Sequence, residues 1–123
     1  MSKVLSPEKM AASLSEYWSP RIIGEVDDAY IKVAKVRGSL AWHSHENEDE
    51  LFFVLKGNLR IEMDDGAVEL GAGDMFVVPK GVRHNPVAER TCHLMLFERK
   101  STLHTGEVMT DKTRSVADQL SGA

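Results

Sequence analysis

The sequence predicts an all-β sandwich or barrel preceded by a short helix. Three observations carry that reading. Short β-type runs separated by Gly, Asp or Pro follow one another from Ile22 to Glu98, a spacing that suits sandwiches and barrels. Asp65-Gly66 stands between two such runs and signals a hairpin. Leu51-Phe52-Phe53-Val54-Leu55 and Met75-Phe76-Val77-Val78 are apolar at consecutive positions, so both faces of those strands are expected to be covered.

The elements follow in order. Ser6 is an N-cap, Pro7 suits the first helical position and Glu8 complements the helix dipole. Met10, Leu14 and Tyr17 then share one face, which predicts a helix over about 7–17 that packs on the domain body, ended by Ser19-Pro20. Strands are predicted near 29–36, 39–45, 50–56, 58–63, 67–70, 75–78 and 91–98, a barrel core of about 29–98. Breaks fall at Arg37-Gly38, Glu46 to Asp49, Lys56-Gly57-Asn58, Gly71-Ala72-Gly73 and Pro79-Lys80-Gly81. A C-terminal arm occupies about 99–123. Leu103 to Val108 is expected to dock as an extended segment, and Val116 and Leu120 to allow a weak helical turn. The covered second face is assigned to the N-terminal helix or to another copy of the chain, which predicts a homodimer.

Composition narrows the possibilities. At 123 residues the chain is read as one domain, 1–123. With 42% hydrophobic and 28% charged residues it is neither a disordered acidic chain nor a coiled coil. A net charge of -4 lacks the basic excess of a phosphate-backbone binder, so no nucleic-acid partner is expected. No apolar run approaches the ~20 residues of a membrane span, so no membrane partner is expected either. Met1 to Met10 is too polar for a secretory core. The single cysteine, Cys92, cannot pair internally, and a cytoplasmic location is expected.

The chemistry concentrates in Trp42-His43-Ser44-His45-Glu46-Asn47-Glu48-Asp49-Glu50. In a strand, residues i and i+2 face the same side, so His43 and His45 present two imidazoles together. Imidazole is the commonest transition-metal ligand near neutral pH. Glu50 opens the next strand and returns a carboxylate to the same end if that strand pairs with the first. His84 follows the turn Pro79-Lys80-Gly81 and supplies a third imidazole. Three nitrogens and one carboxylate suit one divalent ion of Fe, Mn, Ni, Zn or Cu.

At these residues the chain resembles the cupins, small double-stranded β-helices of the jelly-roll type. The first cupin motif corresponds to Gly38, His43-Ser44-His45, Glu50 and Gly57, and the second to Gly73, Pro79-Lys80-Gly81 and His84. The 15 residues between Gly57 and Gly73 match the short spacer of single-domain cupins. The resemblance implies that His43, His45, Glu50 and His84 are metal ligands. Two departures stand out. Four residues separate Gly38 from His43 where the family has five, and Ala88 stands where it often has asparagine. Asn85 is expected on the opposite strand face from His84.

Other residues receive plainer readings. Gly57, Gly73, Pro79 and Gly81 are read as scaffold. Glu46, Glu48 and Asp49 read as a solvated loop, Cys92 as a buried inert thiol and His93 as an ordinary strand histidine. Only one of Cys92 and His93 can point inward. Phe52, Met75, Phe76 and Met95 are core or cavity lining. Trp42 is expected to turn away from the metal, toward a dimer interface or the helix, and Arg60 and Arg83 are weak candidates for meeting an anionic substrate. His104, in the arm, receives no role. The functional expectation is a metal-dependent enzyme, an isomerase, lyase or dioxygenase, acting on a small polar molecule such as a sugar, a sugar acid or another small organic acid. The alternative is a non-catalytic cupin that binds or senses a metal or small ligand. A third reading is a structural barrel whose histidines are incidental.

Overall fold

The computed structural model describes residues 3–106 and 108–121. Parts of the expected arm, Glu107, Gly122 and Ala123, and Met1 and Ser2 at the other end, lie outside them. In chain order the elements are α1 (Pro7–Ala12), β1 (Arg21–Val26), β2 (Ala29–Ser39), β3 (Glu50–Lys56), β4 (Asn58–Met63), β5 (Gly66–Gly71), β6 (Met75–Val78), β7 (His84–Arg99) and α2 (Val116–Ser121). All strand pairings among them are antiparallel. No helix among the described residues is long and apolar enough to cross a membrane.

The sheet runs β1-β2-β7-β3-β6, with β4 bonded to β5 and β7. The 16-residue β7 organises it. Its start, His84 to Val87, pairs with β4, and its end pairs with β2 on one side and β3 on the other. Strand β2 breaks register between Val36 and Gly38 against β7, a bulge that bends the strand. The alternating inward residues meet as one core: Val36, Val54, Leu59, Ile61, Cys92 and Leu94 are each 0–1% exposed. Full burial of a side chain such as Leu59 or Ile61 contributes about 1.5–3 kcal/mol.

Several expected boundaries move. Helix α1 is capped by the Ser6 side chain but ends at Ala12, with Ser13 as C-cap. Ala11 is its buried residue, and Tyr17 is 43% exposed. The expected strand over 39–45 does not form. The chain leaves β2 at Ser39, and His43 makes an isolated bridge with His84. Strand β7 starts seven residues before the expected 91, because its first part is held by β4. Strand β1 lies before the expected barrel and is held by β2. Strands β3, β4 and β6 fall where the sequence places them. Helix α2 forms, yet the residue it buries is Gln119, whose amide donates to the Arg114 carbonyl oxygen, while Leu120 stays 54% exposed.

Candidate metal centre

Each of the four predicted donors is positioned by a different device. His43 and His45 lie on the loop after β2, not on a strand. His43 is fixed by reciprocal backbone bonds with His84, at 2.9 and 2.8 Å. The His45 carbonyl oxygen accepts from the Gly81 N–H at 2.8 Å, which ties the Pro79-Lys80-Gly81 turn to the first motif. Glu50 opens β3, which does not pair with the 39–45 segment as expected. It lies instead between β6 and β7, with Val78 and Glu98 as register partners of Glu50. His84 opens β7.

The structure brings all four together. One ligand atom from each of His43, His45, Glu50 and His84 lies within 4.8 Å of the other three, and all four residues are buried. Ring centroids of His43 are 5.0 Å from His45 and 4.4 Å from His84. Glu50 Oε1 is 3.3 Å from His84 Nε2 and 3.5 Å from His45 Nε2. The outer nitrogens fix the tautomers. His43 Nδ1–H donates to the Ala41 carbonyl oxygen at 2.8 Å, and His84 Nδ1–H to that of Val82 at 2.9 Å. A carbonyl oxygen only accepts, so Nε2 of each ring is left facing the cluster, the arrangement typical of metal-binding histidines.

Electrostatics favour the ligating forms. Burial, reinforced by His84, pushes His43 down to about 4. Burial alone would raise Glu50, but its close contacts with Glu98, His45 and His84 outweigh it and hold its carboxyl well below the usual range. Burial and the Glu50 charge push Glu98 well above that range. Of the two carboxyls, Glu50 is therefore the one more strongly held in the ionised, ligating form. His45 Nε2 is buried with no hydrogen-bond partner. An orphaned nitrogen there is costly, and a divalent cation would satisfy it. The donor set therefore fits a metal ion.

Two cavities meet at the site. An outer one of about 360 Å³ is lined by Trp42, His43, His45, Glu46, Arg83 and residues of the C-terminal segment. An inner one of about 30 Å³ lies between His43, Glu50 and the barrel wall, which includes Trp18, Phe52, Leu94 and Leu96. His43 lines both. Four inner-cavity residues were not picked out by sequence reasoning. Lys32 is 2% exposed and forms an ion pair with Glu98, with 2.5 Å between Nζ and Oε1. His104 arrives from the C-terminal segment, and Trp18 closes the far wall in a left-handed conformation, φ 57°. Parity would have exposed two of them: Lys32 shares a strand face with Ala34 and Val36, and Glu98 with Leu94 and Leu96.

The remaining candidates disperse. Cys92 joins the core and burial pushes its thiol up to about 12. His93 pairs with Glu8 on α1, 2.5 Å away. Asn85 bonds to Ser39 and Glu62, away from the cluster. Phe52 lines the inner cavity, whereas Met75 is 55% exposed. Trp42 lines the outer cavity. Its indole lies under the Arg83 guanidinium, 4.7 Å from ring centroid to Cζ. Arg60 pairs with Glu62 and Glu89. The acidic loop is tied rather than free: Asp49 accepts from the Lys80 N–H and Glu48 from the Ser101 hydroxyl.

An antiparallel barrel with three imidazoles and a carboxylate gathered at its mouth defines a class of small β-barrel proteins whose donor atoms could hold a metal ion. The chain belongs to the cupin family within it: the cupin-domain model Cupin_2 matches residues 30–98. It is 36% identical over 85 residues to "Uncharacterized protein YdbB" of Bacillus subtilis strain 168, over 68% of this chain and 75% of that protein. Among solved structures it resembles a cupin-2 domain containing protein from Shewanella frigidimarina, at 40% identity and a TM-score of 0.76, covering 78% of this chain and 94% of that one. Protein NMB1881 from Neisseria meningitidis is similar at 32% identity and a TM-score of 0.72, covering 79% and 99%.

Proposed function

We propose that His43, His45, Glu50 and His84 hold one divalent transition metal, and that the chain is a metal-dependent enzyme acting on a small organic acid, sugar or sugar acid. The observation that carries this reading is the convergence of four buried donor atoms within 4.8 Å, beside cavities on two sides. A bound divalent ion supplies Lewis acidity to a carbonyl or lowers the pKa of a water. The chain's own residues do the rest. Backbone bonds at His43 and His84 fix the rings, Glu50 provides the ionised oxygen, and the apolar barrel wall keeps bulk water from the inner side. Within this reading the chain is a single cytoplasmic domain, and two copies associate as a homodimer.

The test is metal content of untagged protein. About one equivalent of a transition metal per chain is expected by elemental analysis. His45→Ala should lower metal affinity by more than ~100-fold, since loss of even an outer partner of a ligand costs about 10–100-fold. Unchanged metal content in His45→Ala would sink the assignment. Turnover of a sugar, hydroxy-acid or keto-acid panel by loaded protein separates the enzyme from a non-catalytic metal-binding cupin, for which ligands would raise the melting temperature without turnover.

A further inference from the structure

We infer that His104 and Lys32 form an anion subsite on the inner side of the metal centre, which receives the carboxylate of a small organic acid. The inference rests on the proposed metal site and names the chemistry of its ligand.

The inner cavity is walled mostly by apolar side chains, and its polar groups are few: Lys32, His43, Glu50, Glu98 and His104. His104 Nδ1 accepts from the Arg114 backbone N–H at 2.9 Å. The ring proton therefore belongs on Nε2, which makes this imidazole a neutral donor. Burial and the neighbouring Lys32 push its pKa down to about 4, which keeps it in that form. Lys32 carries three N–H bonds, of which the Glu98 ion pair takes one. Both residues thus line, with N–H donors, a small and mostly apolar space, where an oxygen acceptor is strongly favoured. Charge points the same way. One lysine and a divalent ion outweigh Glu50 and Glu98 even when both carboxylates are ionised. At about 30 Å³ the cavity takes a group of two or three heavy atoms, the size of a carboxylate.

His104 reaches this position only because the C-terminal segment is fastened across the barrel mouth. Ser101 donates to Glu48 at 3.0 Å, Lys112 Nζ donates to the Ser39 carbonyl oxygen at 2.6 Å, and Arg114 pairs with Glu16 at 3.6 Å. Gly106 lies so close to the Ser44 carbonyl oxygen that an added Cβ would stand 2.2 Å from it. The segment is a wall of the site, and His104 is the polar group it contributes.

The experiment titrates formate and acetate into Co(II)-loaded protein and reads the visible ligand-field spectrum, with metal content measured separately. His104→Phe keeps the ring volume without a donor, and His104→Gln keeps an N–H. The Phe variant should bind formate at least tenfold more weakly than the parent at equal metal content, with the Gln variant within about threefold. Equal affinity in the Phe variant, or equal weakening in both variants, overturns the subsite. So does loaded parent protein whose spectrum neither anion changes, a result that leaves the metal centre standing. Failure to load metal overturns the metal centre, and the subsite with it.

Discussion

At the scale of single residues, the metal-donor cluster depends on side chains that hold other side chains. The Lys32–Glu98 pair is buried to 2% and 4% exposure and abuts Glu50. Removing one member of a buried pair leaves its partner desolvated and costs about 3–5 kcal/mol. Glu98 can accept a proton, so Lys32→Met should fall at the lower end, about 3 kcal/mol by urea unfolding. The double variant Lys32→Met with Glu98→Gln should recover part of that loss. A Lys32→Met cost within about 0.5 kcal/mol of zero would show that the pair is not structurally coupled. The four donor positions could be read from the sequence because their chemistry is local: His-x-His and a turn-led histidine keep their meaning whatever the surrounding pairing. Lys32 and Glu98 could be read only by strand parity, and each looks like an ordinary surface charge until neighbours two residues away are considered. His104 left no signal. Its place depends on a chain return fixed by Ser101, Lys112 and Arg114, contacts that no local pattern encodes.

At the scale of elements, β3, β4 and β6 were legible because apolar runs bounded by Gly and Pro set both their type and their ends. The 39–45 segment misled because alternating residues there resemble a strand, whereas the backbone partners of His43 come from a single bridge to His84. The start of β7 was hidden by Pro86, which ordinarily argues against a strand interior. Here Pro86 sits opposite Ile61 of β4. The C-terminal segment offers the sharpest test at this scale. Gly106 has φ 58°, and a methyl group there would run into the Ser44 backbone. The Ser44 loop is pinned on both sides, by the His43–His84 bridge and by the Gly81 bond to His45, so the arm must yield. Gly106→Ala should destabilise docking of the arm by about 1–3 kcal/mol. Amide exchange over 101–106 and 108–115 should then rise roughly tenfold or more while β2, β3 and β7 keep their protection. Unchanged exchange in the arm would mean that the close approach to Ser44 does not hold it.

At the scale of the whole molecule, the outer face of the sheet sets the last prediction. The sequence places apolar residues on both faces of β3 and β6 and asks what covers the second. Helix α1 answers in part. It reaches β2, β7 and β3, its Ala11 is fully buried, and Glu8 clasps His93. Beyond the helix two apolar rows continue across strands, Val77–Leu51–Phe97 and Met75–Phe53–Met95. Met75, Val77 and Phe97 are 55%, 40% and 40% exposed. Strand β6 is also the end of the sheet order, so an apolar face and an unpaired strand edge coincide, a combination that invites association. A second copy placing the same surface opposite would form a two-fold interface. Light scattering at tens of micromolar should therefore give twice the 13.7 kDa chain mass. Val77→Lys puts a charge on the edge strand of that face without touching the core and should return the chain to monomer, with circular dichroism and metal content unchanged. A monomeric parent at that concentration would refute the dimer, and a Val77→Lys variant that stays dimeric would move the interface to another face.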